Sequence, residues 1–424
     1  MQKILLFGAG KSATCLIRFL EKTVTDRGWD LVVAENNLAL AQSKLGGSPN
    51  AKAVQIDIEH QEQREQLIRK ADVVISLLPP SLHYLVATSC VQWKKHLLTA
   101  SYLDDKIKAL APAIEDSGLL FLCEMGLDPG IDHMSAMQLI HHIQEQGGKI
   151  HSFLSHTGGL VSPVSDDNPW HYKISWNPRN VVLAGAAGAK YLEKGHVVTR
   201  TYPELFSKIN ELPVKELATL AWYPNRDSLS YIPLYGLDGI STFIRTTLRY
   251  PDFIRAWRPI VEAGLTDDSK PIGHSSYAAW SAPILPLMDD AVAPQLEYLG
   301  LFSQEAIPAA ARSSADALQH LLETRLSMSP QDKDMIVMLH ELDFTRADGR
   351  PGRITSSLIV HGEDHLQTAM AKTVGLPLGI AAILILEKKI RLTGVHIPIL
   401  PEIYNPVMEQ LAQQDIRFTE TVSA

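Results

Sequence analysis

Basic residues are too few for a nucleic-acid binder. The chain carries 39 Lys and Arg against 47 Asp and Glu, a formal net charge of -8. A phosphate backbone needs a basic face to displace its counterions, so nucleic acid is excluded as a partner and only a local basic cleft stays open. Cysteine is also scarce. Cys15, Cys90 and Cys123 are scattered and odd in number, which rules out a disulfide framework and points to a reducing compartment. Long apolar runs are missing too. Gly8, Gly10 and Lys11 interrupt the stretch where a signal peptide would need an unbroken one. The most apolar run, Val374 to Leu386, is broken by Gly375, Pro377 and Gly379. It falls short of the roughly 20 residues a membrane span requires, so a buried helix, no membrane partner and a cytoplasmic location are expected. His361 and His365 stand at i, i+4. No Glu follows the first His directly and Gly362 weakens a helix there, so no metal site is read. A Gly-x-Ser-x-Gly hydrolase elbow is lacking as well.

What remains is the composition of an ordinary globular enzyme, 424 residues with 46% apolar and 20% charged. That length predicts two or three domains.

The first third alternates strands and helices. Lys3–Phe7 is an apolar run of strand length, followed by Gly8-Ala-Gly10-Lys-Ser-Ala13 and then by helical spacing of Cys15, Leu16, Phe19 and Leu20. This is G-x-G-x-x-A between a strand and a helix, which serves dinucleotides. The first glycine turns tightly, the second lets a pyrophosphate approach the backbone, and the Ala lets helix and strand pack closely. Gly8, Ala9, Gly10 and Lys11 are the candidate phosphate-binding residues. A second strand, Asp30 to Ala34, ends at Glu35, close to where an acidic residue takes the adenosine ribose. A carboxylate there accepts from a 2′-hydroxyl and repels a 2′-phosphate. Asn36 offers no cation, so NAD is favoured over NADP. Further strands end at Asp57-Ile58, Leu78-Pro79 and Ser101-Tyr102, and the last is Leu119 to Cys123, with a helix over Asp104 to Asp116 before it. Such alternation predicts a parallel sheet with ligands at the carboxyl ends of its strands.

The stretch Glu124-Met-Gly-Leu-Asp-Pro-Gly-Ile-Asp-His133 then ends the alternation. It combines an Asp-Pro-Gly turn signal with several ionisable groups. It reads as the seam where a cofactor half hands the chain to a substrate half. Beyond it, Ser135 to Gln146 reads as a helix and Phe153 to Leu160 as a strand running into a turn at Gly158-Gly159. The region 264 to 330 reads as helical with proline breaks. Met335 to Asp343 and Ile354 to His361 read as paired strands, and Gly394 to Tyr404 as a proline-rich surface crossing.

Several of these motifs together resemble one family. Gly126-Leu-Asp-Pro-Gly-Ile-Asp-His133, Asn225-Arg-Asp-Ser228, Thr247-Leu-Arg-Tyr250, Thr368-Ala-Met-Ala-Lys-Thr-Val-Gly375 and Pro401-Glu-Ile-Tyr404 are similar to saccharopine dehydrogenase of the L-glutamate-forming type, also called saccharopine reductase. The resemblance implies an α/β fold with a Rossmann dinucleotide-binding domain over 1–125. An α+β substrate-binding and dimerisation domain over 126–363 is inserted after it, and C-terminal helices over 364–424 return to the first domain. It implies a homodimer that uses NAD or NADP in lysine metabolism. The reaction it implies is reversible oxidation of saccharopine to glutamate and 2-aminoadipate semialdehyde. A related enzyme that couples a different aldehyde and amine, such as carboxynorspermidine dehydrogenase, and an inactive nucleotide-sensing protein are the alternatives.

The resemblance also assigns roles. Arg226 and Arg249 hold substrate carboxylates, for which guanidinium forks are suited, and Thr247 and Leu248 stand in the same substrate motif. Ser101 and Tyr102 match substrate-contacting positions, Tyr102 as a proton donor or an orienter of water. Leu127, Asp128 and Pro129 line the cofactor, and Ser175 matches a cofactor-contacting serine. Asp128 either relays a proton with a raised pKa or only fixes its turn. The chain departs from the family at Ser155-His-Thr-Gly-Gly-Leu-Val161. Thr157 replaces a cysteine there and forms no thiolate, while His156 replaces a tyrosine and is a candidate for proton work.

Overall fold

A computed structural model describes residues 1–423. The chain divides into two units, one formed by Met1–His142 with Leu366–Phe418, the other by Ile143–His365 with the terminal strand. The first division falls within the helix Ile131–Glu145, not at residue 125. The turn after the last Rossmann strand is hydrogen-bonded back onto that strand's neighbours, since Glu124 N–H donates to Ser101 O (3.0 Å) and Met125 N–H to Thr99 O (3.0 Å). The Asp-Pro-Gly turn therefore belongs to the first unit, and the hand-over comes a helix later.

The first unit is built on a seven-stranded parallel sheet. Its strands in chain order are β1 (Lys3–Phe7), β2 (Asp30–Glu35), β3 (Ala51–Gln55), β4 (Val73–Ser76), β5 (His96–Thr99) and β6 (Leu120–Leu122), joined at the edge by Gly394–His396. The spatial order beyond that edge strand is β6-β5-β4-β1-β2-β3. The order reverses between β1 and β4, which opens a crevice beyond their carboxyl ends. Strands β1, β2 and β4 are almost wholly buried, as expected of a sheet covered on both faces. The helix Thr14–Arg27 follows the glycine turn.

The apolar run of the C-terminal region forms the helix Ala369–Leu386, long and apolar enough to cross a membrane by composition alone, but 89% buried within the protein. Thr368 caps it, its hydroxyl accepting from Ala371 N–H (2.9 Å). The segment expected to cross the surface instead supplies the strand Gly394–His396 and the helix Pro401–Ala412. Pro401 is tolerated because it stands in the first turn, where its missing N–H is not needed. The region 364–424 thus mostly returns to the first unit, but Thr419–Ser423 leaves it and pairs with Pro351–His361 of the second. The expected helix over Asp104 to Asp116 forms as two short ones, Asp105–Lys108 and Ala111–Asp116.

The second unit contains a ten-stranded, largely antiparallel sheet among the described residues. Its centre is Lys149–Val161, flanked by Thr242–Arg249 in parallel and by Asp334–Thr345 antiparallel. The expected turn at Gly158-Gly159 does not form; the strand runs through both. The glycine serves close approach, since a Cβ on Gly158 would stand 2.7 Å from Leu248 Cβ. One layer of aromatics, Trp170, Tyr172, Phe253 and Trp257, anchors the core beneath the helices. In the region 264–330 the helices are short, Tyr277–Ser281, Ala293–Leu299 and Ser314–Arg325. The last begins with a reciprocal capping box between Ser313 and Asp316.

Candidate functional site

The carboxyl ends of β1 and β2 build the first part of the site. Gly8 adopts a left-handed φ of +97°, which glycine enters without steric cost. Ala9 N–H donates to Glu35 Oε2 (2.7 Å), and Asn36 N–H donates to Glu35 Oε1 (2.9 Å). Glu35 therefore ties the turn to the end of β2. Nothing lies within 4 Å of the position a Cβ on Gly10 would take, so the turn leaves an open cradle where a pyrophosphate can reach the backbone. These residues fit a dinucleotide. Lys11 is exposed beside the cradle. Lys44 donates to the Gly10 carbonyl; burial lowers its pKa to about 8, against the charge of Glu35, which supports its protonation.

The remaining strand ends extend the edge. Asp57 is exposed and its Oδ1 accepts from Glu59 N–H (3.0 Å), while Ile58 O accepts from the Arg64 guanidinium (2.6 Å). Leu78 is half-buried and Pro79 exposed, directly beyond β4.

After β5 and β6 the polar residues converge. Tyr102 OH donates to Asp128 Oδ1 at 3.5 Å, so the two residues expected to handle protons meet although 26 positions separate them. Asp128 sits in a tight loop, joined to Pro129 by a cis peptide. Gly126 N–H donates to Pro129 O (2.9 Å) and Ile131 N–H to Gly126 O (2.9 Å). Only glycine fits at 130: its φ is +147° and a Cβ would stand 2.0 Å from Gly126 O. Leu127 and Pro129 are buried.

Beneath this loop lies a buried set that the sequence reading did not single out as site residues. His133 Nε2 is 2.8 Å from Glu124 Oε2, and its Nδ1 is 3.6 Å from Asp132 Oδ2. Glu124 Oε1 accepts from Leu103 N–H (3.0 Å), and Asp132 Oδ1 from Gly130 N–H (2.6 Å). Through these bonds the ionisable groups of the stretch fix both Tyr102's neighbour and the Asp128 turn. Glu124, Asp132 and His133 thus brace the turn, and Asp128, half-buried within it, accepts from Tyr102 OH.

A second unforeseen residue is His83, almost fully buried at the start of the helix His83–Gln92. Its Nδ1 lies 2.8 Å from Ser76 Oγ and its Nε2 2.8 Å from Ser101 Oγ. Burial lowers its pKa to about 4, with Asp104 pulling weakly the other way. The available signal was a single polar residue on the stripe His83, Val86, Ala87, Cys90.

The second unit carries the candidate substrate arginines. Along Thr242–Arg249, alternation places Arg245, Thr247 and Arg249 on one face. Arg249 is buried, its Nη1 donating to Leu248 O (2.7 Å) and its Nε left without a partner. Its guanidinium stands 5.3 Å from the Tyr172 ring and 5.4 Å from that of Phe253, and no carboxylate among the described residues pairs with it. A buried cation without a counter-charge carries a desolvation cost that an incoming anion would offset. Arg245, equally buried and not anticipated, lies 4.5 Å from the Tyr231 ring. Leu248 faces the other way, into an apolar cluster with Leu160, Leu220 and Val337, which leaves only its backbone for ligand contact. Arg226 is exposed, with a left-handed φ of +51°. Ser175 is buried in this second unit, two residues after Lys173, which bridges Asp167 and Asp332. The other expected cofactor residues all lie in the first unit.

His156 is fully buried, with Nδ1 2.7 Å from Thr246 Oγ1 and Nε2 3.3 Å from Glu341 Oε2. It shares the Thr246 face and so lies across the sheet from Thr247 and Arg249. Thr157, which stands where the family's cysteine would, pairs in register with Thr247, and its hydroxyl is buried without a partner.

Comparison with known proteins places these features. Residues 4–122 match the saccharopine dehydrogenase NADP binding domain and residues 126–416 the saccharopine dehydrogenase C-terminal domain. The chain belongs to the saccharopine dehydrogenase family. Its first unit is accordingly a nicotinamide-dinucleotide-binding domain. It is 33% identical over 444 residues to mitochondrial alpha-aminoadipic semialdehyde synthase of Bos taurus, covering 99% of this chain but 47% of that protein. It is 32% identical to saccharopine dehydrogenase [NADP(+), L-glutamate-forming] of Saccharomyces cerevisiae, covering 97% of this chain and 96% of the yeast one. The chain thus spans about half the length of the bovine relative and nearly all of the yeast one. The solved structure of apo saccharopine dehydrogenase (L-Glu forming) from Saccharomyces cerevisiae aligns over 100% of both chains with a TM-score of 0.89 and 32% identity. Homospermidine synthase from Legionella pneumophila shares the fold, with a TM-score of 0.61 at 9% identity.

Proposed function

We propose that this chain oxidises saccharopine, with a nicotinamide cofactor, to L-glutamate and L-2-aminoadipate 6-semialdehyde, and catalyses the reverse reaction. The names of the yeast and other fungal relatives supply the substrate. The observation in this chain that carries the reading is Arg249, a buried guanidinium with an open Nε and no carboxylate partner among the described residues. Saccharopine, an amino acid with three carboxylates, offers what that cation lacks.

When bound, the nicotinamide exchanges a hydride with the carbon beside the substrate's secondary nitrogen. The chain's own residues anchor the substrate and manage protons. Arg249 takes a carboxylate, with Thr247 on the same face of its strand. Tyr102 and Asp128, already hydrogen-bonded to each other, hold and pass the proton during formation and hydrolysis of the imine. His156 is committed to Thr246 and Glu341 and takes no part.

NAD is the preferred cofactor. The fungal relatives are named for NADP(+), but a carboxylate such as Glu35 at the end of β2 suits a ribose 2′-hydroxyl and repels a 2′-phosphate, and the neighbouring Asn36 and Asn37 are neutral. Steady-state oxidation of saccharopine with NAD and with NADP tests both statements. Failure to reduce either cofactor overturns the reaction; a higher kcat/KM with NADP overturns the preference.

A further inference from the structure

The imidazole of His83 touches hydroxyls from three separate places on the sheet. Ser76 ends β4, Thr99 ends β5, and Ser101 lies two residues past β5. The distances are 2.8 Å from Nδ1 to Ser76 Oγ, 2.8 Å from Nε2 to Ser101 Oγ and 3.2 Å from Nε2 to Thr99 Oγ1. Thr99 Oγ1 also accepts the N–H of Ser101 (3.2 Å). Ser101 is thereby held by side chain and backbone at once. It precedes Tyr102, whose hydroxyl reaches Asp128. Ser76, Thr99 and His83 are all buried, whereas Ser101 is half-buried at the open edge.

We propose that His83 is a positioning residue that aims the Ser101 hydroxyl at a substrate carboxylate. The inference rests on the saccharopine reaction proposed above. A neutral imidazole has one N–H and one acceptor nitrogen. An anionic substrate takes the one Ser101 proton, so in its 2.8 Å contact with Nε2 the Ser101 oxygen accepts a hydrogen bond. Nε2–H supplies it, and Nδ1 accepts from the Ser76 hydroxyl. This tautomer turns the Ser101 proton outward, away from the buried histidine. A charged imidazolium would donate from both nitrogens and require Ser76 to accept as well; the low pKa of the buried ring agrees with the neutral form.

The assignment predicts an effect on substrate binding that passes through Ser101. Saccharopine affinity is measured by calorimetry on the folded enzyme, alongside KM and kcat for saccharopine and KM for the cofactor. His83→Ala is expected to weaken binding and raise the saccharopine KM about tenfold, the size of one lost hydrogen bond to a charged ligand system, with the cofactor KM unchanged. His83→Gln keeps an amide N–H near the Nε2 position and should restore affinity to within about threefold. In a Ser101→Ala background, His83→Ala should add less than about twofold, because coupled residues do not contribute independently. Multiplicative effects of the two alanine substitutions, or a Gln variant that melts like wild type yet binds no better than the Ala variant, overturn the positioning role. If the wild-type protein binds saccharopine without oxidising it, the reaction falls while the cycle still reads His83. If it neither binds nor oxidises saccharopine, both fall.

Discussion

Ala9 donates its backbone N–H to Glu35 Oε2 at 2.7 Å, so the carboxylate proposed to meet the cofactor ribose also shapes the glycine turn. These tasks separate on mutation. Glu35→Ala should raise the KM for NAD about tenfold, as loss of a charge-assisted hydrogen bond does, and lower the KM for NADP by removing the like charge. Lys44, which reaches Gly10 O and interacts with the Glu35 charge, then remains as a cation at this turn. Initial rates with both cofactors check this; equal losses for both would mean that Glu35 only holds the turn.

Tyr102 and Asp128 form a hydrogen-bonded pair, and in the proposed reaction they share the handling of one proton. Tyr102→Phe and Asp128→Asn should each lower kcat roughly a hundredfold, the usual scale of general acid–base catalysis. The double variant should be little worse than either single one, because the two side chains share one task. If Asp128→Asn instead leaves kcat intact and lowers the melting temperature, the carboxylate only shapes the turn.

Arg249 gives function and stability opposite signs. A buried guanidinium without a counter-charge costs desolvation energy that folding must offset, and the flanking Tyr172 and Phe253 rings return part of it. Arg249→Met should raise the KM for saccharopine by roughly one to two orders of magnitude while leaving the thermal midpoint equal or higher. Calorimetric melts and KM on the same preparation decide the point. A clear drop in midpoint with unchanged KM would assign Arg249 to structure.

The first unit was legible because its strands are continuous apolar runs punctuated by glycine and proline, and periodicity alone places those. Where the sequence misleads, one residue type serves two ends. Gly158 resembles a turn glycine but lets Leu248 approach across the sheet. The strand Gly394–His396 is too short for periodicity to register and sits beside prolines. Tyr102 and Asp128 could be placed at neighbouring strand ends because parallel sheets gather their loops at one edge. His83 could not be placed so. Its role depends on Ser76, Thr99 and Ser101, and no spacing rule announces three hydroxyls meeting one ring. Alternation alone puts Arg245 and Arg249 on one face and Leu248 on the other, but which neighbours each face meets depends on the strand's pairing, which spacing does not reveal.

The buried histidine also sets an acid limit on stability. His83 has its pKa lowered to about 4 from an ordinary value of 6.5, chiefly because burial disfavours the charged ring. Between those values the unfolded chain holds a proton at this position and the folded chain does not. Unfolding therefore takes up a proton, and stability rises with pH across the window. It is complete above about pH 6.5 and is lost as pH falls toward 4, with a slope of up to roughly 1.4 kcal/mol per pH unit from this group. Carboxylates held low in the folded state, such as Glu341 through its hydrogen bond from His156, add their own loss mainly below the usual carboxylate range. His83→Gln does not titrate, so its urea midpoint should fall less steeply than wild type's between pH 6.5 and 5. Parallel curves for the two proteins would show that the ring accepts a proton in place, and that the Ser76–His83–Ser101 chain tolerates the imidazolium.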